Sequence, residues 1–276
     1  MRNIFLLALL TLTTIASAQN KESTANSNVH IIDEVFEMPS LDRTRKIRVY
    51  LPPSYSTTNE EYPVLYMHDA QNLFDDSTAY ISEWGVDEIL NEIAQEGGQE
   101  IIVVGIDNNG ETRMNEYSPW ENSRFGKAEG EAYIDFVVNV IRPFVEKNYR
   151  IKEGVESTGV GGSSMGGLIS HYAIFKYPDV FGLAMIYSPS YWYAPEPLLS
   201  FTTRSDFPDS HKLDFLVGGK EGQMMVNPTK EMFELMVEQN HKRENLRFNL
   251  IEEGEHNERF WRSQFKESIL WLYQDQ

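Results

Sequence analysis

The stretch Val160-Gly161-Gly162-Ser163-Ser164-Met165-Gly166-Gly167 decides how the rest of this chain is read. It holds Gly-x-Ser-x-Gly at Gly162, Ser164 and Gly166. A serine in this setting sits on a sharp turn between a strand and a helix, and small flanking residues let the turn close. Residues 157–161 read as the incoming strand and 165–175 as the outgoing helix. The pattern points to nucleophilic acyl transfer with Ser164 as nucleophile. Chance alone can supply it, so its weight rests on partners elsewhere in the chain.

Outward from this turn, strand-like and helix-like segments alternate. Residues 29–38, 46–51, 64–67, 101–106, 183–187, 213–217 and 246–251 read as strands, most of them short apolar runs bounded by polar or glycine-rich breaks. Residues 84–94 have helical spacing, with Ser82 as a plausible cap. Residues 129–149 form a long amphipathic helix that Pro143 should kink or break. Residues 228–239 and 258–273 complete the helices. The alternation predicts an α/β fold, a mostly parallel sheet with helices on both faces. Residues 190–212, irregular and rich in aromatics and prolines, are the candidate cap over a site.

The strand order says where partners for Ser164 belong. A serine hydroxyl is a poor nucleophile at its own pKa, so a histidine must take its proton and a carboxylate must orient that histidine. On this architecture they follow in the order serine, acid, histidine. The acid slot, after the strand at 213–217, holds Glu221; the histidine slot, after 246–251, holds His256. Asp214, Glu252, Glu253, Glu255 and Glu258 are competing acids, and a Ser-His dyad is the remaining alternative. His30 and His241 read as surface residues, and His171 as a packing or hydrogen-bonding group on the elbow helix. An oxyanion needs preorganised N–H donors. Met165 should supply one, and Ala70 or Gln71 in the loop after 64–67 the other.

Composition narrows the function classes. There are no cysteines, which removes thiolate metal sites and cysteine nucleophiles. The formal net charge of −18 disfavours nucleic acid and anionic membranes as partners. No nucleotide-binding glycine pattern and no metal-ligand spacing occurs, so no cofactor and no metal is expected. Residues 1–18 read as a secretory signal: Arg2, an apolar run over 4–16, and Ala16-Ser17-Ala18 before Gln19. That run is shorter than a bilayer span. Residues 19–28 read as a flexible leader, and residues 29–276 as one catalytic domain, secreted or periplasmic. Oligomeric state is not readable.

Several segments together are similar to one family. They are Tyr66-Met67-His68-Asp69-Ala70-Gln71-Asn72-Leu73-Phe74, Val104-Gly105-Ile106-Asp107-Asn108, Arg113-Met114-Asn115-Glu116-Tyr117-Ser118-Pro119-Trp120, the elbow, Ser188-Pro189-Ser190-Tyr191-Trp192 and Gly254-Glu255-His256-Asn257-Glu258. They resemble the "putative esterase" family of α/β hydrolases. That family includes feruloyl and acetyl-xylan esterases, S-formylglutathione hydrolases and enterochelin-type siderophore esterases. The resemblance implies the α/β-hydrolase fold, Ser164 and His256 as catalytic residues, and an oxyanion loop at 68–72. Relatives more often carry Gly where this chain has Ala70. Arg113, Trp120 and Trp192 are candidate substrate-binding residues.

The expected function is therefore a serine carboxylic-ester hydrolase acting through an acyl-enzyme on a small-molecule or carbohydrate ester. Acyl esters of carbohydrates come first, because of the aromatic loops and the export signal. Siderophore esters, acyl transfer on the same fold and a non-catalytic binding module are the alternatives.

Overall fold

A computed structural model describes residues 21–274. The expected signal at 1–18 lies outside the described residues. In chain order the elements are β1 (Val29–Ile31), β2 (Phe36–Met38), β3 (Arg43–Arg45), β4 (Ile47–Tyr50), β5 (Val64–His68), α1 (Val86–Gln95), β6 (Ile102–Ile106), α2 (Arg113–Glu116), α3 (Gly130–Phe136) and α4 (Arg142–Asn148). There follow β7 (Thr158–Ser163), α5 (Met165–Lys176), β8 (Leu183–Tyr187), α6 (Pro195–Arg204), β9 (Lys212–Gly218), α7 (Gln223–Glu238), β10 (Leu246–Ile251) and α8 (Glu258–Leu272).

Eight strands form one sheet in the order β1-β4-β6-β5-β7-β8-β9-β10. β1 and β4 are antiparallel to their neighbours, and every pairing from β6 to β10 is parallel. Parallel strands all end on one edge, so the loops after β5, β6, β7, β8, β9 and β10 converge there. The strands are apolar on both sides because both faces are covered. Val64 and Tyr66 of β5 belong to the core that α3, α4, α5 and α7 cover, whereas Leu65 and Met67 belong to the core that α1 and α8 cover. The mostly parallel sheet with helices on both faces expected from the alternation is the one observed, in keeping with the α/β-hydrolase fold that the resemblance implies.

Some details differ from the sequence reading. Residues 29–38 are two strands, because a bend at Asp33-Glu34 sends β2 away from the sheet to pair with β3 as a separate hairpin. α1 begins after Gly85, in the left-handed conformation at φ 62°, and Ser82 makes no cap. The long helix around Pro143 is distorted, not ended: helical geometry runs from Gly130 through Asn148, and a π-helical stretch at Val137–Ile141 immediately precedes Pro143, the kind of local rearrangement that a residue without an N–H calls for. α7 starts at Gln223 and carries Pro228 internally.

Residues 21–28, expected to be a flexible leader, make specific hydrogen bonds instead. Ser23 Oγ donates to Asp75 at 2.7 Å, Thr24 Oγ1 to Glu83 at 2.9 Å, and the Asn26 N–H to Asp87 at 2.8 Å. A polar, aperiodic segment can be ordered when each donor meets a carboxylate, and composition does not register that.

The β2–β3 hairpin is tied to α2 by charge. Glu116, fully buried, accepts from Arg43 at 2.9 Å and from the nearly buried Arg45. Arg43 has a second partner in Glu129, but no other carboxylate pairs with Arg45 among the described residues. Glu116→Ala therefore strands a buried guanidinium. Unfolding free energy in urea melts is expected to drop by about 3–5 kcal/mol. A drop of under about 1 kcal/mol would show that Arg45 finds water.

Candidate functional site

The turn at Ser164 has φ 60° and ψ −121°, a conformation that β7 and α5 jointly impose. The Ser164 N–H donates to the Tyr187 carbonyl at 2.9 Å. A Cβ at Gly162 would stand 3.1 Å from the Gly166 backbone, and one at Gly167 2.7 Å from the Tyr187 carbonyl. The turn therefore closes only with small residues at these positions.

The His256 Nε2 lies 2.9 Å from Ser164 Oγ, and its Nδ1 lies 2.7 Å from Glu221 Oε2. An ionised carboxylate only accepts, so Nδ1 carries the proton in the neutral ring and Nε2 accepts from the serine hydroxyl. The Glu221 side chain is fully buried, while His256 is 38 % exposed. Asp214 is committed elsewhere, to Arg247 at 2.6 and 2.7 Å, and Glu253 pairs with Lys220 at 2.6 Å. Of the competing acids, Glu221 is the one in contact with His256.

Four groups that sequence reasoning gave no role complete this arrangement. Glu221 Oε1 accepts from the Gly218 N–H at 2.8 Å and from Ser188 Oγ at 2.6 Å. The Trp261 indole donates to Ser188 Oγ at 2.9 Å. An indole N–H can only donate, so the Ser188 proton must point at Glu221. Ser188 holds φ 41°, a left-handed position in which a serine is uncommon. Ser190 Oγ stands 3.2 Å from Ser164 Oγ. With the Ser164 proton directed to His256, Ser190 is the donor in that contact. The available signal was position: Ser188-Pro189-Ser190 follows β8, the strand adjacent to β7.

The opposite wall is the turn after β5. Asp69 is left-handed at φ 60°, and Ala70–Asn72 form a short 3-10 turn. Asp69 is held bidentately by Arg113 at 2.7 Å, and by Asn108 Nδ2 at 2.6 Å. Burial pushes the Asp69 carboxyl upward, but the Arg113 charge and its hydrogen bonds outweigh burial and hold it below the ordinary carboxylate range. Gln71 clasps the Asn108 backbone: its Oε1 accepts from the Asn108 N–H at 3.0 Å, and its Nε2 donates to the carbonyl. Among the described residues, no acceptor takes the N–H of Met165 or of Gln71. The Ala70 methyl points away from the site, toward Gly105 of β6, where an added Cβ would lie 2.7 Å from it. An alanine is therefore accommodated at position 70.

A cavity of about 550 Å³ opens between these walls. Asp69, Arg113, Ser164, His256, Glu258 and Trp261 are among its lining residues. Tyr80 and Ile81, 88 % and 61 % exposed, contribute to the rim.

A family model described as "Putative esterase" matches residues 38–272. The chain belongs to that esterase family. It is 29 % identical over 244 residues to the uncharacterized protein YbbA of Bacillus subtilis, covering 83 % of this chain and 92 % of YbbA. The BES protein of Bacillus cereus superposes with a TM-score of 0.74 at 20 % identity, covering 93 % of this chain and 98 % of that one. The enterochelin esterase of Shigella flexneri superposes with a TM-score of 0.71 at 18 % identity, covering 91 % and 59 %. At such identities these structures speak for the fold.

The esterase cavity departs from the sequence reading on its aromatic side. Neither Trp120 nor Trp192 lines it. Trp120 packs on Tyr172 and Phe201, and Trp192 on Phe125 and Tyr193. Residues 190–212 do not cap the cavity; their helix α6 binds the back of α5, where Thr202 meets His171 at 2.9 Å. His171 also bonds Tyr191 at 2.7 Å, and burial drives its pKa down to about 3. It is a structural imidazole, as read. His241 is buried, not superficial, and donates to the His211 carbonyl at 2.8 Å. Arg113 does line the cavity, but two of its nitrogens are spent on Asp69. Among the described residues no cluster of three or more His, Asp or Glu side chains could hold a metal ion.

Ser188→Ala tests the contacts around Glu221 without reference to catalysis. The Trp261 indole proton loses its acceptor, so its slow solvent exchange by NMR should accelerate. Stability is expected to fall by about 1–3 kcal/mol, because a buried donor and acceptor are left unsatisfied. Unchanged exchange would place the indole proton on another partner.

Proposed function

We propose that this esterase is a serine carboxylic-ester hydrolase in which Ser164, His256 and Glu221 act as a triad. The reading is carried by one observation: Ser164 Oγ, His256 and Glu221 are joined by two hydrogen bonds of 2.9 and 2.7 Å, from three separate loops of one sheet edge. Ser164 Oγ attacks the ester carbonyl as His256 Nε2 takes its proton. The oxyanion is received by the free N–H of Met165 and that of Gln71 or Ala70. His256 then protonates the leaving alcohol, and an acyl group remains on Ser164. Water, deprotonated by His256, releases the acid. Glu221 keeps the ring in the required tautomer and stabilises the imidazolium.

Two substrate classes stand in view. Acyl esters of carbohydrates remain compatible, though Trp120 and Trp192 no longer favour them. Siderophore ester linkages draw support from the likeness to the Shigella flexneri enterochelin esterase. Residues 1–18 support export to the periplasm or the exterior. No described helix is long and apolar enough to cross a membrane.

Ser164→Ala and His256→Ala should each lower p-nitrophenyl acetate hydrolysis by about a thousandfold or more, with circular dichroism unchanged. Glu221→Ala should cost less than Ser164→Ala. Near-normal turnover by Ser164→Ala would refute the mechanism. Product analysis with and without an acceptor alcohol separates hydrolysis from acyl transfer.

A further inference from the structure

Most of the cavity's polar side chains are already committed to partners within the protein. Asp69 is bound by Arg113 and Asn108, and Gln71 by the Asn108 backbone. Thr78 Oγ1 donates to the Gln71 carbonyl at 2.7 Å and accepts from Arg48 at 2.8 Å. Asn72 Oδ1 accepts from the Tyr80 N–H at 3.0 Å, and the Trp261 indole is given to Ser188. These groups shape the wall and have little left to offer a ligand.

Glu258 differs. It lines the cavity, two residues after His256, at the first position of α8. It is 7 % exposed, and its Oε2 is buried with no hydrogen-bond partner among the described residues. No cation pairs with it within salt-bridge distance there. The nearest charges are Asp69, His256 and Arg113, and Arg113 is already engaged with Asp69. An unpaired carboxyl in a largely buried position is costly unless something satisfies it. Burial, with a smaller contribution from Asp69, raises its pKa above the ordinary carboxylate value, and a cation brought into the cavity would reverse that.

Charge and shape favour one kind of ligand group. The Asp69–Arg113 pair cancels, so an ionised Glu258 leaves the cavity with an excess negative charge. The chain as a whole carries −18, which adds a field attractive to cations. Trp84 and Trp261 supply aromatic wall, and Tyr80 an exposed aromatic side chain at the rim, surfaces that suit both an aryl ring and a cation. We propose that Glu258 is a specificity residue whose carboxylate binds a protonated amine on the ester substrate, so that this esterase prefers esters bearing an ammonium group close to the scissile bond.

The inference rests on the triad reading for its turnover test, but not for its binding test. Turnover is compared for methyl 3- and 4-(aminomethyl)benzoate, their ethyl isosteres methyl 3- and 4-ethylbenzoate, and the neutral hydroxymethyl analogues. At least one aminomethyl ester should exceed its ethyl isostere in kcat/KM by about tenfold or more, chiefly through KM, as a charge-assisted hydrogen bond provides. In Glu258→Gln that ratio should collapse toward one; because it is a ratio, any general loss of activity cancels. Binding is measured separately on Ser164→Ala, by quenching of tryptophan fluorescence with benzylamine, benzyl alcohol and toluene. Benzylamine should bind at least about tenfold more tightly than the neutral pair, and Ser164→Ala/Glu258→Gln should lose that margin. No preference for the amine in either assay overturns the proposal, as does a preference that survives Glu258→Gln. A preference shared equally by the hydroxymethyl esters also overturns it, in favour of a neutral donor. Absence of all ester turnover with the binding margin intact would fail the triad reading and leave the cation site standing.

Discussion

A fully buried carboxylate must find hydrogen-bond donors for its oxygens, and the way Glu221 does so organises the edge of the sheet where the strands end. Its donors are the Gly218 N–H at the end of β9, the Ser188 hydroxyl after β8, and His256 after β10. Three adjacent parallel strands are thus joined at their ends through one carboxyl group. Ser188 is in turn fixed by an indole from α8, and its backbone occupies a conformation a serine seldom takes. The loop that bears Ser188 also brings Ser190 to Ser164. The strain at Ser188, like that at Ser164, is sustained by what these contacts return.

The other side of the site follows the same logic with charge in place of neutral donors. Asp69 stands in a left-handed turn whose next residues, Ala70–Asn72, form the 3-10 turn that carries Gln71 to the cavity wall. Arg113 and Asn108, both after β6, hold it there. α2, which carries Arg113, is anchored from behind by Glu116 and the arginines of the β2–β3 hairpin. The small hairpin outside the main sheet therefore belongs to the support of the turn after β5.

Much of this was legible in the sequence, for a physical reason. Buried parallel strands are short apolar runs, so β5 through β10 could be placed from composition and their breaks. Once placed, their common edge told where Glu221 and His256 had to stand. What was not legible depends on pairings between distant segments. Nothing local marks Ser188 as a donor to residue 221, or Trp261 as a donor to Ser188. Residues 21–28 are polar and aperiodic, and only the carboxylates of Asp75, Glu83 and Asp87 give them order. Trp120 and Trp192 look like ligand platforms because exposed aromatics in loops often are; here they meet Tyr172, Phe201 and Phe125 instead. The cavity opens on the side of α1 and α8, which no aromatic-rich loop announced.

Ala70 and Gly105 meet between the turn after β5 and β6, where a Cβ at position 105 would lie 2.7 Å from the Ala70 methyl. The methyl on Ala70 is possible because Gly105 has none. Leu73 and Phe74, 3.2 and 3.3 Å from the same point, close that space from the other sides. A chain that carries alanine at position 70 has thereby fixed glycine in the middle of a neighbouring strand, where glycine otherwise weakens the sheet. The identity of a residue in the turn after β5 is thus recorded a second time, one strand away.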